Sequence, residues 1–455
     1  MGSIRVLIDF GSTFTKVVAV DLEREEVLSS AQVPSTVDTD ITIGLEEALE
    51  RIATEVSIGE LEKRQALACS SAAGGLRMVC VGFVPDLTSQ AAKHAALGAG
   101  AKVVGLYSYE LTQEALAELE ATSPDIVLLS GGTDGGDKEV IIHNARRLSR
   151  CSQAVSNIVV AGNNTTYDQI KSIFENSDKQ VSFAGNVMPE IGKLDIGPSN
   201  RSIRDVFLKR IIEAKGLDKA KTMIQDVIMP TPSAVLEGAK LLAEGVGDIP
   251  GFGELLLVDV GGATTDVHSI SEGRTNPGAF MKVGLPEPYV KRTVEGDLGL
   301  KYNLETLLVL ARERGSPPNL SKISKELEQG RFPDSEDAIL CHTFLTCLAV
   351  DTAVRRHVGR MEVMYGPAGD ILVQHGKDLT EVKCVVGTGG PIAYSKNPRK
   401  VMEGALFRDT DAAVLRPKEP RFFVDAKYLL YAAGLLSHSD PEKALSLMKK
   451  HLEQV

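Results

Sequence analysis

Leu255–Ile270 reads LLLVDVGGATTDVHSI. An apolar run around one acid, then two glycines, two threonines and a second acid, describes a buried strand that turns tightly and returns as another strand. Asp259 lies inside the apolar run, where an unpaired carboxylate is costly. It therefore calls for a cation, a water network or a hydrogen-bonding turn beside it. The turn Gly261, Gly262, Ala263, Thr264 and Thr265 offers backbone N–H groups with no bulky side chain in front of them, which is what an anionic phosphate needs.

Residues 4–21, IRVLIDFGSTFTKVVAVD, follow the same order: apolar run, Asp9, Gly11, the small hydroxylated Ser12 and Thr13, Lys16 and a second apolar run. This predicts a second hairpin with a Gly/Ser/Thr tip. Either hairpin taken singly is better read as an ordinary glycine-rich turn with an incidental acid. Two of them in one chain predict two pseudo-equivalent halves serving one ligand.

At 455 residues the chain is too long for one ordinary core. With 43% hydrophobic and 24% charged residues it is globular, and a formal charge of −11 with no basic run argues against a nucleic-acid partner. The opening MGSIRVLIDFG lacks a signal pattern and no apolar segment reads as a membrane span, which predicts a soluble cytoplasmic chain without a membrane partner. The six cysteines form no CxxC pair and no zinc-like spacing, so they read as reduced core residues. His268, His342 and His357 stand apart from one another and read as structural or surface residues.

Between the hairpins the pattern changes. Residues 43–56 give an amphipathic helix, and from 65 to 215 strands such as ALACS, RMVCVGFV, KVVGLYS, DIVLLSGG, NIVVAGNN and QVSFAGNV alternate with helices. That alternation predicts a doubly wound α/β domain in its own right. Its loop Gly131 to Asp137, GGTDGGD, follows a buried strand where such sheets place ligands, and reads equally as a glycine-rich turn with an aspartate helix cap.

Residues 227–245 predict a strand end and a helix with Thr231 at its cap and Pro232 at its first position. Ser233, Ala234, Gly238 and Ala239 let that helix approach another closely. The loop GVGDIPGFG follows as a boundary. Residues 336–358 read as a long helix, apolar nearly all round and buried between layers. Strands ILVQH and VKCVV come next, the latter ending in a third glycine turn, Gly387, Thr388, Gly389 and Gly390. A helix with Ala432, Ala433 and Gly434 and a charged helix close the chain.

Three glycine turns and one small-residue helix in this order resemble the superfamily of actin, Hsp70 and the sugar and acetate kinases. The first phosphate hairpin of that superfamily matches Asp9, Gly11, Ser12, Thr13 and Lys16; the second is similar to the Hsp70 DLGGGTFD run through Asp259, Gly261, Gly262, Thr264 and Asp266; the adenosine turn matches Gly387, Gly389 and Gly390. Taken together, IDFGSTFTKVVAVD, IVLLSGGTDGG, IVVAGN, LLVDVGGATTDVHS and VVGTGGP resemble the MutL or GlmL family, accessory proteins of glutamate mutase and related adenosylcobalamin-dependent aminomutases, unrelated to mismatch repair.

This resemblance implies an α/β, two-lobe, duplicated ribonuclease H-like ATPase fold with an inserted doubly wound domain. It implies residues 1–64 as the first lobe with hairpin one, 65–215 as an insertion that binds a partner, and 216–250 as connecting helix and boundary loop. Residues 251–384 would be the second lobe, and 385–455 the adenosine turn and C-terminal helices. ATP or ADP and Mg²⁺ are the implied cofactors, with a cobalamin-dependent mutase subunit as partner and homo-oligomerisation left open. Asp9 and Asp259 would hold Mg²⁺ through its waters. Ser12, Thr13, Gly261 to Thr264 and Thr265 would cradle phosphates, and Lys16 would neutralise their charge. Hsp70-like members carry a glutamate at the entry to the connecting helix, and Thr231 stands there in this chain. Glu237 lies further along that helix, so Asp9, Asp259 and Glu237 are the candidates to orient the attacking water, with slow or partner-dependent hydrolysis expected. A small-molecule kinase using the GGTDGG loop is the alternative class.

Overall fold

A computed structural model describes the chain except residues 1–3, 12, 37–38, 57–64, 72–75, 212–219, 221–223, 321–322, 326–333 and 366–368. It falls into two compact units, Met1–Ala234 with Gly284–Pro288, and Val235–Val283 with Tyr289–Val455.

The first unit is built on β1 (Ile4–Phe10), β2 (Phe14–Asp21), β3 (Glu26–Pro34), β4 (Leu67–Ser70) and β10 (Asp226–Pro230), in the order β10-β4-β1-β2-β3. Strands β1 to β3 form an antiparallel meander, while β4 and β10 run parallel beside β1. Helix α1 (Ile41–Ala53), capped by the Asp40 carboxylate on Thr42 N–H, packs on β2 and β3 through Leu45, Ala48 and Ile52.

The crossover from β4 to β10 carries a second sheet. Strands β5 (Arg77–Val81), β6 (Lys102–Tyr107), β7 (Ile126–Leu129), β8 (Asn157–Val160) and β9 (Gln180–Phe183) are all parallel in the order β6-β5-β7-β8-β9, a doubly wound sheet. Helices α2 (Gln90–Gly98), α3 (Gln113–Thr122), α4 (Glu139–Leu148), α5 (Tyr167–Phe174) and α6 (Gly197–Ile211) alternate with these strands. The sequence expectation is corrected at its first strand. The ALACS strand is β4 and belongs to the first sheet, because Leu67–Ser70 pairs with both β1 and β10. Nor does the insertion keep a separate core: Met78, Ile126 and Leu128 of the inserted sheet lie in one apolar cluster with Val6, Ile8 and Ala68. The other face is covered by its own cluster, around Val79, Val127, Leu129, Ile141 and Phe174.

Helix α7 (Thr231–Glu244) follows β10, then a two-residue ladder, β11 (Gly245–Val246) and β12 (Ile249–Pro250). The second unit repeats the first topology. Strands β13 (Leu255–Val260), β14 (Thr265–Ile270) and β16 (Val290–Glu295) form the meander, and β19 (Cys384–Thr388) and β20 (Arg421–Val424) run parallel beside β13, with β21 (Glu453–Gln454) at the edge. Both sheets therefore share one strand order, three antiparallel and two parallel, and the fold is a duplicated ribonuclease H-like one with an inserted doubly wound sheet. A small sheet of β15 (Met281–Val283), β17 (Arg360–Met364) and β18 (Ile371–His375) is appended.

Helices α8 (Leu304–Arg314) and α9 (Glu336–His357) share the core of this unit with β13 and β19. Contrary to the sequence reading, α9 is long and apolar enough to pass for a membrane span, but 72% of its most apolar window is buried within the protein. Short helices α10 (Gly390–Ala393) and α11 (Pro398–Met402) follow β19, and α12 (Leu429–Leu436) and α13 (Pro441–His451) end the chain. The small residues of α7 act as the sequence implies: a Cβ on Gly238 would lie 2.1 Å from the Leu430 carbonyl oxygen of α12, so these helices meet backbone to backbone.

Candidate functional site

Both hairpins close in the same way. Phe10 pairs with Thr15 and Val260 with Thr265, and each four-residue turn is pinned by one bond, Gly11 N–H to Phe14 O at 3.0 Å and Gly261 N–H to Thr264 O at 2.9 Å. By register Asp9 corresponds to Asp259 and Lys16 to Asp266. Residues directly opposite in an antiparallel pair share a face, so each turn has two ionisable side chains on one side.

In the first unit Asp9 is 1% exposed, and both of its carboxylate oxygens have partners. Lys16 Nζ lies 3.2 Å from Oδ2, and Oδ1 accepts from the Thr231 hydroxyl at 2.6 Å and lies 3.7 Å from Cys69 Sγ. Cys69 is the register partner of Asp9 on β4, and Thr231 opens α7 directly after β10. Burial pushes the Cys69 thiol well up, and the Asp9 carboxylate adds to the shift. Thr231 thus uses its side chain on the buried acid; the sequence gives its helix position but no sign of this partner. Ser12 lies outside the described residues. Thr13 is half-buried, and its N–H meets no acceptor among the described residues.

In the second unit Asp259 is half-buried, and the deeply buried acid of the hairpin is Asp266 instead. Arg292 of β16 neutralises it, with the guanidinium 2.7 Å from Asp266 Oδ2, while buried Oδ1 has no hydrogen-bond partner. The carbonyls of the turn are held from below: Leu300 N–H donates to Gly261 O, Lys301 and Tyr302 N–H to Gly262 O, and Asn303 Nδ2 to Ala263 O. Gly299 permits this, since a Cβ there would fall 2.3 Å from the Ala263 carbonyl carbon. The N–H groups of Gly262, Ala263 and Thr264 meet no acceptor among the described residues. Thr265 differs from its expected role: its buried hydroxyl donates to Leu298 O at 2.7 Å and serves the fold.

The third turn lies beside Asp259, which is opposite Thr388 on β19. Gly389 has φ +89°, and a Cβ there would stand 2.6 Å from Asp259 Oδ1 and 2.1 Å from Val260 O. Gly387 is a packing position, since its Cβ would fall 2.8 Å from Met402 Sδ, and Thr388 is buried with its hydroxyl 3.5 Å from Asp425. Gly390 is the open one, its nearest neighbour being the Tyr428 hydroxyl at 3.7 Å. Burial, helped by Tyr394 and Asp259, pushes that phenol up. A cavity of about 390 Å³ adjoins this turn, lined by Asp334, Ile339, His342, Thr343, Tyr394 and Lys396. Burial drives His342 down to about 4, so it is neutral at pH 7, and the Thr343 hydroxyl is buried without a partner. His342, like His268 and His357, is buried and not on the surface. Glu237 is half-buried on α7, and its six-residue offset from Thr231 turns it about 120° around the helix axis.

The GGTDGGD loop of the inserted sheet is closed on itself. Buried Asn163 donates to Gly136 O and Asp137 O and accepts from Gly135 N–H, and Asn186 donates to Gly132 O and to Asp134. Its glycines supply the positive φ values of Gly131, Gly132 and Gly135, which favours the turn reading.

A model of the MutL protein family matches residues 5–452. Protein MutL of Clostridium tetanomorphum is 43% identical over 460 residues, covering 99% of each chain. Among solved structures, the activator of the 2-hydroxyisocaproyl-CoA dehydratase from Clostridium difficile with bound ADPNP is 10% identical over 98% of this chain and 97% of its own, with a TM-score of 0.31. The ethanolamine utilization protein EutJ from Carboxydothermus hydrogenoformans is 12% identical over 97% and 89%, with a TM-score of 0.30. Superpositions that loose carry no argument, and the assignment rests on the sequence match. By that match along almost its whole length, the chain belongs to the MutL protein family.

Proposed function

We propose that the chain binds ATP with Mg²⁺, hydrolyses it slowly, and acts as a chaperone or reactivating factor for an adenosylcobalamin-dependent mutase such as glutamate mutase. The observation that carries the nucleotide part is the duplicated carboxylate–glycine turn, one on each ribonuclease H-like sheet. The client is carried by the family, through the resemblance of its members to mutase accessory proteins.

The donor set suits Mg²⁺. Among the described residues no three His, Cys, Asp or Glu side chains gather into a direct metal cage. Mg²⁺ keeps most of its waters and takes one or two carboxylates. Asp9 and Asp259 are the proposed holders of those waters, and the orphaned Oδ1 of Asp266, on the same face as Asp259, would be a further acceptor for one. The ion would supply charge neutralisation on the phosphates. The N–H groups of Thr13, Gly262, Ala263 and Thr264 would donate to the phosphate oxygens, and the turn through Gly389 and Gly390, open at Gly390, would lead to the cavity, where the base would sit beside Tyr394. Hydrolysis is slow because Thr231 donates to Asp9 where a glutamate would orient water. Asp9 or Asp259 then takes that task, with Glu237 the remaining candidate.

The experiment is reactivation of an inactivated adenosylcobalamin mutase with and without ATP. Recovery that needs both this chain and ATP is expected. ATP turnover stimulated by a metabolite, with a phosphorylated product, would instead establish a small-molecule kinase. The nucleotide site has its own check: Asp259→Asn and Lys16→Ala are expected to lower ATP affinity or hydrolysis at least tenfold, and unchanged values would remove the assignment.

A further inference from the structure

The two turns differ in the cation they leave for a ligand. At the first, the cation opposite Asp9 is Lys16, and it is bound to the Asp9 carboxylate at 3.2 Å. At the second, the register equivalent of Lys16 is an acid, Asp266, and the arginine nearby is spent on it, both side chains being buried. Among the described residues, the cation beside this turn that is left without an ion pair is Lys301. Its N–H donates to Gly262 O at 2.9 Å, and its stem runs along the turn, with Cβ 3.4 Å from where a Gly262 side chain would begin. Its ammonium lies 5.2 Å from the Tyr302 ring centre and forms no ion pair or hydrogen bond with any described residue. Three N–H groups without acceptors among the described residues, at Gly262, Ala263 and Thr264, belong to the same turn.

From this duplicated geometry we infer that Lys301, rather than Lys16, supplies the positive charge that binds the nucleotide phosphates, while Lys16 positions Asp9. The inference rests on the ATP-binding reading and names the residue that completes the second turn as an anion cradle. An ammonium already held by a carboxylate offers a phosphate little net charge, because the pair is close to neutral. An unpaired one on a flexible stem, beside backbone donors fixed by the fold, offers its full charge.

The test is calorimetric titration of wild type, Lys301→Met, Lys301→Arg and Lys16→Met with Mg-ATP and Mg-ADP, at low and high salt, each variant checked by thermal melting. Lys301→Met is expected to bind Mg-ATP about tenfold more weakly or worse, with a flatter salt dependence, and Lys301→Arg to recover most of the loss. Lys16→Met is expected to keep the salt dependence and to raise the Mg²⁺ concentration needed. Wild-type affinity and salt dependence in a folded Lys301→Met would overturn this inference alone, as would a flattened salt dependence in Lys16→Met instead. Failure of the wild type to bind Mg-ATP at all would overturn the ATP-binding reading and the inference with it.

Discussion

Asp266 and Arg292 form a buried ion pair beside the second glycine turn, and the carboxylate keeps one oxygen without a donor among the described residues. Breaking such a pair from one side leaves a charge stranded out of water, which costs far more than the pair itself is worth. Arg292→Met is therefore expected to lower unfolding free energy by about 3–5 kcal/mol, read by chemical denaturation, and Asp266→Asn in the same background to recover part of it. Residues of this kind were only half legible. Asp9, Gly11, Asp259 and the glycine turns announce themselves because acids are rare inside strands and glycines mark the turns at their ends. Thr231, Cys69, Arg292 and Lys301 carry no local signal, since each meets its partner through a strand register or a chain crossing that one sequence does not display.

At the level of elements, the meander hairpins were readable and the third strands were not. Strand β16, VKRTVE, holds Lys291 and Arg292 inside the protein, where Lys291 donates to His357 O and Arg292 holds Asp266, so a polar string hides a core strand. Strand β3 is an edge that mixes exposed, half-buried and buried residues and lacks a clean alternation. Helix α9 shows the opposite case: its apolar character is plain, yet it buries His342 beside the cavity. That histidine is held down at about 4, below its ordinary value of 6.5, because burial disfavours the imidazolium. The unfolded chain therefore binds the extra proton between those values. The associated stability is whole above pH 6.5, falls as pH drops, and is lost below about 4, amounting to about 3 kcal/mol. His342→Gln is expected to flatten that part of a denaturation-against-pH curve, and an unchanged slope would show the ring to be accessible to protons when folded.

For the whole molecule, the shared core of the first unit sets what can be separated. Because Leu128 of the inserted sheet lies in one cluster with Val6 and Ile8, the insertion is a layer of the first unit and not a detachable module. Leu128→Ala is expected to cost about 2–5 kcal/mol and, by hydrogen exchange, to lower protection in β1 and β7 alike. Protection lost from β7 alone would show the two sheets to unfold independently. The same fact changes how a partner-binding role for the insertion is best examined, since removing residues 65–215 would also remove β4, and surface substitutions would not.

The attachment of that layer has a mechanical corollary. The chain leaves for the inserted sheet from the strand that sets Cys69 against Asp9, and it returns on the strand whose end delivers the Thr231 hydroxyl to the same carboxylate. The insertion is thus slung from two anchor points that both bear on one acid. Any displacement of that layer therefore arrives at Asp9 from two sides, so the acid proposed to hold magnesium would double as its strain gauge.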